Sequence, residues 1–152
     1  MKRQTVEVTG NRGTVRRATS EDLDAVLELD RIAPIGHERG PLLTARVQSG
    51  EVILFEHEGR VSGYAVIRSH SFFGCDFVEL LAVTSSERRR GVGSLLLQQA
   101  VGLSSTIRIF TSTNRSNTRM IGLLEKESWQ FSGQLEGIDE GDPELVYYKD
   151  SA

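Results

Sequence analysis

A nearly continuous apolar run, Phe77 to Val83 (FVELLAV), is followed within a few residues by a glycine-containing turn and then by an apolar helix. A short run of this composition is typical of a strand that is buried on both faces. The helix is expected to begin at Gly91 and to end at about Leu103. A buried strand that leads directly into an apolar helix favours a layered domain in which helices cover a sheet.

The rest of the chain also alternates between strand and helix patterns. Before the apolar run, the patterns predict a strand at Thr14–Thr19 and a helix that Thr19 and Asp22 cap and that ends before Pro34. A short helix follows at Pro41–Gln48 and is stopped by Gly50. Two strands, Val52–His57 and Val61–His70, then form a predicted hairpin around Glu58-Gly59-Arg60. After the run, they predict a strand at Thr106–Thr111, a helix at Asn117–Lys126, and strands at Trp129–Leu135 and Glu144–Lys149.

This order, β-α-α-β-β-β-α-β-α-β-β, predicts an α/β (α+β) fold with a mixed sheet and helices on both faces. The chain of 152 residues has the usual length of one domain, and it shows no repeat and no low-complexity linker. We therefore expect a single domain over residues 13–150. The polar residues 1–12 are expected to form a frayed, disordered tail.

Charge and composition exclude several classes of partner. The formal charge of −3 gives no general reason to expect binding to nucleic acid or to an anionic membrane. Cys75 is the only cysteine, which excludes an intramolecular disulfide and fits a reducing cytoplasm. Met1–Gly10 lacks the apolar core of a signal peptide, so we expect a cytoplasmic protein that is neither secreted nor membrane-spanning. The oligomeric state stays open, a homodimer included.

The segment Glu87–Ser94 (ERRRGVGS) has the features of a phosphate-binding turn. It precedes a helix, and the first N–H groups of a helix are unpaired and carry partial positive charge. Glycines at positions 91 and 93 remove the Cβ atoms that would keep a phosphate away from those groups. Arg88, Arg89 and Arg90 add charged donors beside them. The alternative is a solvated basic face that opens an ordinary helix.

Two common phosphate motifs do not fit this turn. A dinucleotide-binding G-x-G-x-x-G pattern would need glycine where Leu96 stands, and the Gly-Lys-Ser/Thr of a P-loop is absent. The turn instead resembles the R/Q-x-x-G-x-G/A signature of the GNAT superfamily of N-acetyltransferases, as Arg88-x-x-Gly91-x-Gly93. Residues 117–129 (NTRMIGLLEKESW) are also similar to a second segment of that family.

The GNAT resemblance covers roughly residues 14–149 and implies fold, activity and cofactor. It implies a mostly antiparallel sheet of six to seven strands whose fourth and fifth strands splay apart, and transfer of an acetyl group from acetyl-CoA to an amine. Coenzyme A would lie in that gap. By the same resemblance, the cofactor-binding residues would be Leu81, Ala82 and Val83 along the pantetheine arm, Arg88, Arg89, Arg90, Gly91, Val92, Gly93 and Ser94 around the pyrophosphate, and Asn117 at the pantetheine.

Glu79 is the candidate catalytic base, because a carboxylate within a buried strand is costly unless it has a purpose. Many GNAT enzymes have a glutamate in this strand. The alternative is that Glu79 only pairs with an arginine at the edge of the strand. The position of the family's acid tyrosine is Leu124 here, and the candidate substitutes are Ser116, Tyr147 and Tyr148, each of which also reads as an ordinary strand or loop residue.

No metal site is predicted. His37, His57 and His70 are too scattered to form a metal triad, and the chain has no H-E-x-x-H helix. Cys75 stands in an apolar turn without an activating partner. We therefore interpret it as a packing residue rather than as a nucleophile.

The acceptor is expected to be a cationic amine, because residues 136–144 (EGIDEGDPE) form a strongly acidic loop between the last two strands. A solvated acidic turn is the alternative. Two other functions stay open. One is a GNAT-shaped module that binds coenzyme A but has lost turnover, which the leucine at position 124 favours. The other is a phosphate-binding scaffold unrelated to coenzyme A.

Overall fold

The computed structural model of the chain describes residues 6–8, 13–32, 39–87 and 90–151. The strands are β1 (Val6–Val8), β2 (Gly13–Arg17), β3 (Val52–His57), β4 (Arg60–Phe72), β5 (Cys75–Val83), β6 (Arg108–Asn114), β7 (Gln130–Leu135) and β8 (Glu144–Asp150). The α-helices are α1 (Leu23–Ile32), α2 (Gly40–Gln48), α3 (Val92–Leu103) and α4 (Thr118–Lys126), and 3-10 turns cover Ser20–Asp22 and Ser85–Glu87. The predicted order of helices and strands is confirmed, with β1 added in front.

The chain divides into two compact units. The first consists of Met1–Ile67 and Leu80–Gln99, and the second of Arg68–Glu79 and Ala100–Ala152. Strands β4 and β5 and helix α3 each contribute residues to both units. The single domain over residues 13–150 stays a prediction.

In the first unit, β1, β2, β3 and β4 are joined by antiparallel pairing in that order. The β3–β4 hairpin turns at Glu58 and Gly59, whose φ angles are +52° and +74°. A two-residue hairpin of this kind needs positive φ at both central residues, which explains why a glycine follows Glu58. The predicted hairpin is therefore confirmed.

The first unit also has helices on both faces of its strands. Val26 of α1 and Leu43 of α2 are fully buried in a cluster with Leu54 of β3 and Tyr64 of β4. A Cβ atom on the neighbouring residue Gly63 would meet two side chains of α3 at 3.0 and 3.1 Å. Since successive residues of a strand point to opposite faces, α3 covers the face opposite to α1 and α2. The prediction of helices on both faces is confirmed in this unit.

In the second unit, β5 pairs with β6 in parallel, and β6, β8 and β7 follow in antiparallel order. The parallel register joins Asp76–Val78 to Ile109–Thr111, and β5 then continues to Val83. At the last paired position, the Thr111 hydroxyl donates a hydrogen bond to the Val78 carbonyl over 2.9 Å. Strands β5 and β6 are the fourth and fifth strands of the predicted order, and their parallel pairing beside antiparallel neighbours confirms the predicted mixed pairing.

Asp76 connects several segments of the second unit. Its carboxylate is 2% exposed and accepts hydrogen bonds from the backbone N–H groups of His70 (2.9 Å) and Ser105 (2.8 Å), with the hydroxyls of Ser104 and Ser105 at 3.1–3.3 Å. Burial raises the pKa of Asp76, but these hydrogen bonds outweigh it, and the net pKa is lowered. Asp76 therefore holds the start of β5 and the segment before β6 together as an ionised group.

Val6–Val8 form a strand paired with β2, and because residues 1–5 and 9–12 lie outside the described residues, the disordered tail stays a prediction. Two local predictions were wrong. Strand β5 is not buried on both faces, because Phe77, Glu79 and Leu81 are only half-buried. Strand β6 begins at Arg108 instead of Thr106, since the Thr106 hydroxyl donates to the Arg108 carbonyl and holds a bend there.

Candidate active site

The predicted phosphate turn connects β5 to α3 within the first unit. After β5 ends at Val83, the Thr84 N–H donates to the Ser62 carbonyl of β4 over 2.9 Å. A 3-10 turn at Ser85–Glu87 follows, and its last residue is linked to Arg90 by a backbone hydrogen bond of 3.3 Å. The strand thus leads into the helix through a short hydrogen-bonded turn, as the sequence predicts.

Gly91 has a φ of +82°, a left-handed conformation that strains any residue with a Cβ atom. Helix α3 begins immediately afterwards at Val92, and the Leu95 N–H donates to the Gly91 carbonyl over 3.0 Å. The N–H groups before Leu95, on residues 92–94, belong to the first turn, where helices lack internal partners. Arg90 is exposed beside this turn, whereas Arg88 and Arg89 lie outside the described residues.

Ser94 in the first turn of α3 carries a buried hydroxyl. The residue is 7% exposed, and its Oγ has no hydrogen-bond partner among the described residues. A buried hydroxyl without a partner is uncommon and calls for an explanation such as a ligand or a water. A phosphate oxygen at this helix terminus would supply the missing partner. The Ser94 hydroxyl and the N–H groups of this turn are compatible with a phosphate ligand, whose binding here stays a prediction.

The start of α3 lies close to the sheet because of Gly63 in β4. An added Cβ at Gly63 would come within 3.0 Å of Val92 Cγ1, 3.1 Å of Leu96 Cδ1 and 3.2 Å of the Ala82 carbonyl oxygen. Only glycine permits this approach without displacement of a neighbour. The same contact brings the first turn of α3 next to the backbone of β5 at Ala82. Two of the predicted cofactor-binding segments, Leu81–Val83 and Gly91–Ser94, are thus brought together in the first unit.

Glu79 lies in the second unit, where it pairs with an arginine that the sequence analysis did not identify. Arg68 Nη1 of β4 is 3.3 Å from Glu79 Oε2 of β5, and the two side chains are 34% and 23% exposed. The premise that Glu79 is deeply buried is therefore wrong, and the pairing with an arginine that was considered as an alternative is present. A partly exposed, paired carboxylate can still accept a proton.

Counting along the chain could have found this pair. Phe73 and Gly74 form a two-residue turn with positive φ angles of +49° and +83°. Arg68 precedes Phe73 by five residues, and Glu79 follows Gly74 by five. Residues at equal distances from a two-residue hairpin turn face each other across the strands.

Asn117 caps helix α4, as expected for one of its two predicted roles. Its Oδ1 accepts a hydrogen bond from the Met120 N–H over 3.2 Å. Leu124, at the position of the family's acid tyrosine, is fully buried. The structure therefore gives Leu124 a packing role and shows no dissociable group at that position.

The three candidate substitutes for the acid differ in their contacts. Ser116 Oγ donates to Asp142 over 2.6 Å, and the Tyr148 hydroxyl donates to Gln130 over 2.6 Å. Tyr147 is 5% exposed, and its pKa is raised, first by burial and then by the charge of Glu125. The hydroxyls of Ser116 and Tyr148 thus already donate hydrogen bonds within the protein. The raised pKa of Tyr147 keeps its hydroxyl protonated.

The acidic loop is partly structural. Asp142 accepts hydrogen bonds from the Ser116 N–H and hydroxyl, and Asp139 accepts one from Asn114 Nδ2 over 2.8 Å. These contacts fix the loop against the end of β6 and the start of α4. Glu140 is exposed and has no hydrogen bond or ion pair to another described residue. Its carboxylate is therefore available for an external cation.

The sequence analysis also missed a polar group in the first unit. The Tyr64 hydroxyl, which is buried, donates to Asp30 Oδ1 over 2.6 Å, and Arg39 Nη1 is 3.8 Å from the same oxygen. The pKa of Tyr64 is raised, first by burial and then by the hydrogen bond to Asp30. Asp30 is in the last turns of α1 and Arg39 directly precedes α2, so the pair of contacts ties both helices to β4. The hydrophobic pattern of the sequence identified the apolar faces of these helices but not these polar contacts.

Within the described residues, no group of three or more histidine, cysteine or acidic side chains is arranged to hold a metal ion. His37 lies outside these residues. Cys75 is half-buried at the start of β5. No helix in this part of the chain is both long enough and apolar enough to cross a bilayer.

A family model and a solved structure both match this chain to acetyltransferases of the GNAT family. The model of the acetyltransferase (GNAT) family matches residues 20–128. A GNAT-family acetyltransferase structure from Bacillus cereus ATCC 10987 is 32% identical, covers 91% of this chain and 96% of its own, and superimposes with a TM-score of 0.85. No curated protein sequence matches significantly.

Two more distant structures share the fold. The yncA acetyltransferase from Salmonella typhimurium, solved with its cofactor acetyl-CoA, is 20% identical, with 92% and 94% of the two chains covered and a TM-score of 0.73. Arabidopsis thaliana Naa50, solved with the bisubstrate analogue CoA-Ac-MVNAL, is 16% identical, with 91% and 99% covered and a TM-score of 0.75.

Proposed function

Because the chain belongs to the acetyltransferase (GNAT) family, we propose that it transfers the acetyl group of acetyl-CoA to a primary amine by direct attack within a ternary complex. The observation that carries the proposal is the first turn of α3. It combines a left-handed glycine, the N-terminus of a helix, and a buried Ser94 hydroxyl without a partner. Each of these features suits a pyrophosphate.

The cofactor would be held mainly by backbone groups. The amides of residues 88–94 bind the pyrophosphate, with the arginines at 88, 89 and 90 as additional donors. The backbone of Leu81, Ala82 and Val83 bonds the pantetheine arm, since the ladder between β5 and β6 covers only Asp76–Val78 on β5. Asn117 contacts the pantetheine in addition to capping α4. Acetyl-CoA supplies the activated thioester carbonyl.

Glu79 accepts the proton of the attacking amine, directly or through a water. A lysine amine costs about 4–5 kcal/mol to deprotonate at pH 7, whereas an α-amino group costs about 1 kcal/mol. A base therefore matters most for a lysine-like acceptor. The N–C bond forms first, with negative charge on the carbonyl oxygen, and the C–S bond then breaks so that its electron pair leaves with the sulfur. A backbone N–H of residues 81–83 stabilises the oxyanion.

Departure of the thiolate does not require a tyrosine at position 124. A thiol has a pKa near 8.5, so releasing a thiolate at pH 7 costs only about 2 kcal/mol. Water can then protonate the thiolate. Tyr147 remains a candidate, because burial raises its pKa and keeps its hydroxyl protonated, whereas Ser116 and Tyr148 already donate hydrogen bonds within the second unit.

The acceptor is proposed to be a cationic amine that the acidic loop attracts. Glu140 provides an exposed charge for this purpose, while Asp139 and Asp142 support the loop itself. Attraction between exposed charges is screened by salt, so the effect should be strongest at low ionic strength. The compatible acceptors are a protein N-terminus, a lysine or a small cationic amine.

The test is acceptor-dependent release of thiol. Purified protein is incubated with acetyl-CoA and a panel of amines, and free thiol is followed with a thiol reagent. Turnover that requires an amine is expected, and Glu79→Gln should lower kcat at least about a hundredfold while acetyl-CoA binding is retained. Cofactor binding without turnover for any amine would instead support the inactive module. Failure of coenzyme A to raise Tm would favour the unrelated phosphate-binding scaffold.

A further inference from the structure

Arg68 is the side chain that the structure places against the proposed base. It extends from β4 towards Glu79 of β5, with Nη1 and Oε2 separated by 3.3 Å. Both side chains are partly shielded, with 34% and 23% of their surface exposed. This contact lies within the second unit, in the hairpin that turns at Phe73 and Gly74.

Arginine suits the task of orienting a carboxylate. Its planar guanidinium carries charged donors in a fixed arrangement, and its contact with Glu79 restrains the position of Oε2. A glutamate side chain has several rotatable bonds, and an unrestrained one would spend little time in a single orientation. A proton acceptor must lie within hydrogen-bond reach of the amine, directly or through one water.

We propose that Arg68 is a positioning residue that orients the Glu79 carboxylate for proton transfer from the acceptor amine. The inference rests on the proposed function and adds to it a residue that neither the resemblance nor the comparisons assign. Arg68 acts through Glu79 and itself touches neither substrate. Its removal should therefore affect the chemical step and leave the cofactor site unchanged.

The experiment compares Arg68→Gln, Arg68→Met, Arg68→Lys, Glu79→Gln and the double variant Arg68→Gln/Glu79→Gln. We expect Arg68→Gln and Arg68→Met to lower kcat roughly 10- to 100-fold, the cost of a misplaced catalytic group, with the KM for acetyl-CoA unchanged. Arg68→Lys should recover only part of this loss, because it restores one charged donor without the planar guanidinium. In the Glu79→Gln background, Arg68→Gln should have no further effect on kcat.

Arg108→Gln is the matched control. Arg108 makes a similar cross-strand pair in the same unit, with Nε 2.8 Å from Asp150 Oδ1, but this pair has no part in the proposed site. The control should keep kcat. Fluorescence of Trp129, the single tryptophan, and Tm report whether each variant is folded.

The outcomes separate the inference from the function on which it rests. Wild-type kcat in a folded Arg68→Gln or Arg68→Met variant, together with a strong loss in Glu79→Gln, overturns the inference alone. Equal losses from Arg68→Gln with and without Glu79 also overturn it, because the two residues would then act independently. Full activity of Glu79→Gln overturns both the base and its positioning. A wild-type protein without turnover overturns the proposed function itself.

Discussion

Removing the Asp76 carboxylate should destabilise the second unit strongly and in a pH-dependent manner. Asp76→Ala leaves the N–H groups of His70 and Ser105 without their acceptor in a site that is 2% exposed. Each buried donor that loses its partner costs about 1–3 kcal/mol. The free energy of unfolding should therefore fall by about 2–6 kcal/mol at pH 7. Asp76→Asn should lose less, since it keeps one acceptor oxygen.

The pH dependence follows from the lowered pKa of Asp76. A carboxylate with a lower pKa in the folded state contributes fully above its unfolded pKa of about 3.9, and the contribution is lost as pH falls through the folded value. The difference in unfolding free energy between the wild type and Asp76→Asn should thus be greatest at neutral pH and shrink below about pH 4.

Urea unfolding followed by Trp129 fluorescence measures both effects. Trp129 is 5% exposed and lies in the same unit as Asp76. Glu140→Gln serves as the control, because it neutralises a solvent-exposed carboxylate of the same unit and should leave the unfolding free energy within about 0.5 kcal/mol of the wild type. If Asp76→Ala were no more destabilising than Glu140→Gln, or if the Asp76→Asn difference stayed constant from neutral to acidic pH, the account of Asp76 would be wrong.

Two further predictions concern the fit of α3 and the acidic loop. Gly63→Ala should lower Tm and weaken coenzyme A binding, because its Cβ would displace Val92, Leu96 or the Ala82 carbonyl at a cost of about 1–3 kcal/mol. Thermal unfolding and calorimetry measure the two effects, and a Tm equal to that of the wild type would contradict the prediction. Glu140→Gln should raise the KM of a cationic acceptor at low salt and leave Tm unchanged. Asp142→Asn should instead lower Tm, because it weakens the contacts with Ser116. If Glu140→Gln left the KM unchanged at every salt concentration, the loop would have no part in acceptor binding.

Local signals predicted most of the helices and strands. The Thr19 N–H donates to the Asp22 carboxylate over 2.7 Å at the predicted helix start, and Gly50, with φ +75°, follows the predicted end of α2. Caps, stops and hairpin turns depend on residues a few positions apart, so they can be read from the sequence directly. The phosphate turn belongs to the same class of signal.

Contacts between distant segments explain the errors. The Thr106 hydroxyl, which holds the bend before β6, also accepts a hydrogen bond from the Asp76 N–H, 30 residues earlier in the chain, so the start of β6 depends on a distant segment. Phe77 is half-exposed because it is covered by the Phe72 ring, whose centroid lies 5.0 Å from its own, and not by a helix. A hydrophobic pattern shows that a residue needs cover but does not identify what supplies it.

The same limit applies to the candidate site. Glycines 91 and 93 were recognisable from their position before a helix, whereas the close approach that Gly63 permits was not, because it depends on α3 meeting β4. The role of Glu79 was inferred from expected burial, and the structure replaces that argument with its partner, Arg68. Polar partners across strands are the part of a site that sequence patterns identify least directly.

The most direct test of the account is calorimetry of coenzyme A binding to Gly93→Val and Gly102→Val. Both glycines lie in α3, so the two valines cost similar helix propensity, and a Cβ at Gly102 would meet nothing within 4 Å. If the first turn of α3 binds the pyrophosphate, Gly93→Val should weaken binding by roughly 10- to 100-fold, since losing one hydrogen bond to a charged group costs about 1.5–3 kcal/mol. Gly102→Val should bind like the wild type. Unchanged affinity in a folded Gly93→Val variant would contradict the assignment of the cofactor site.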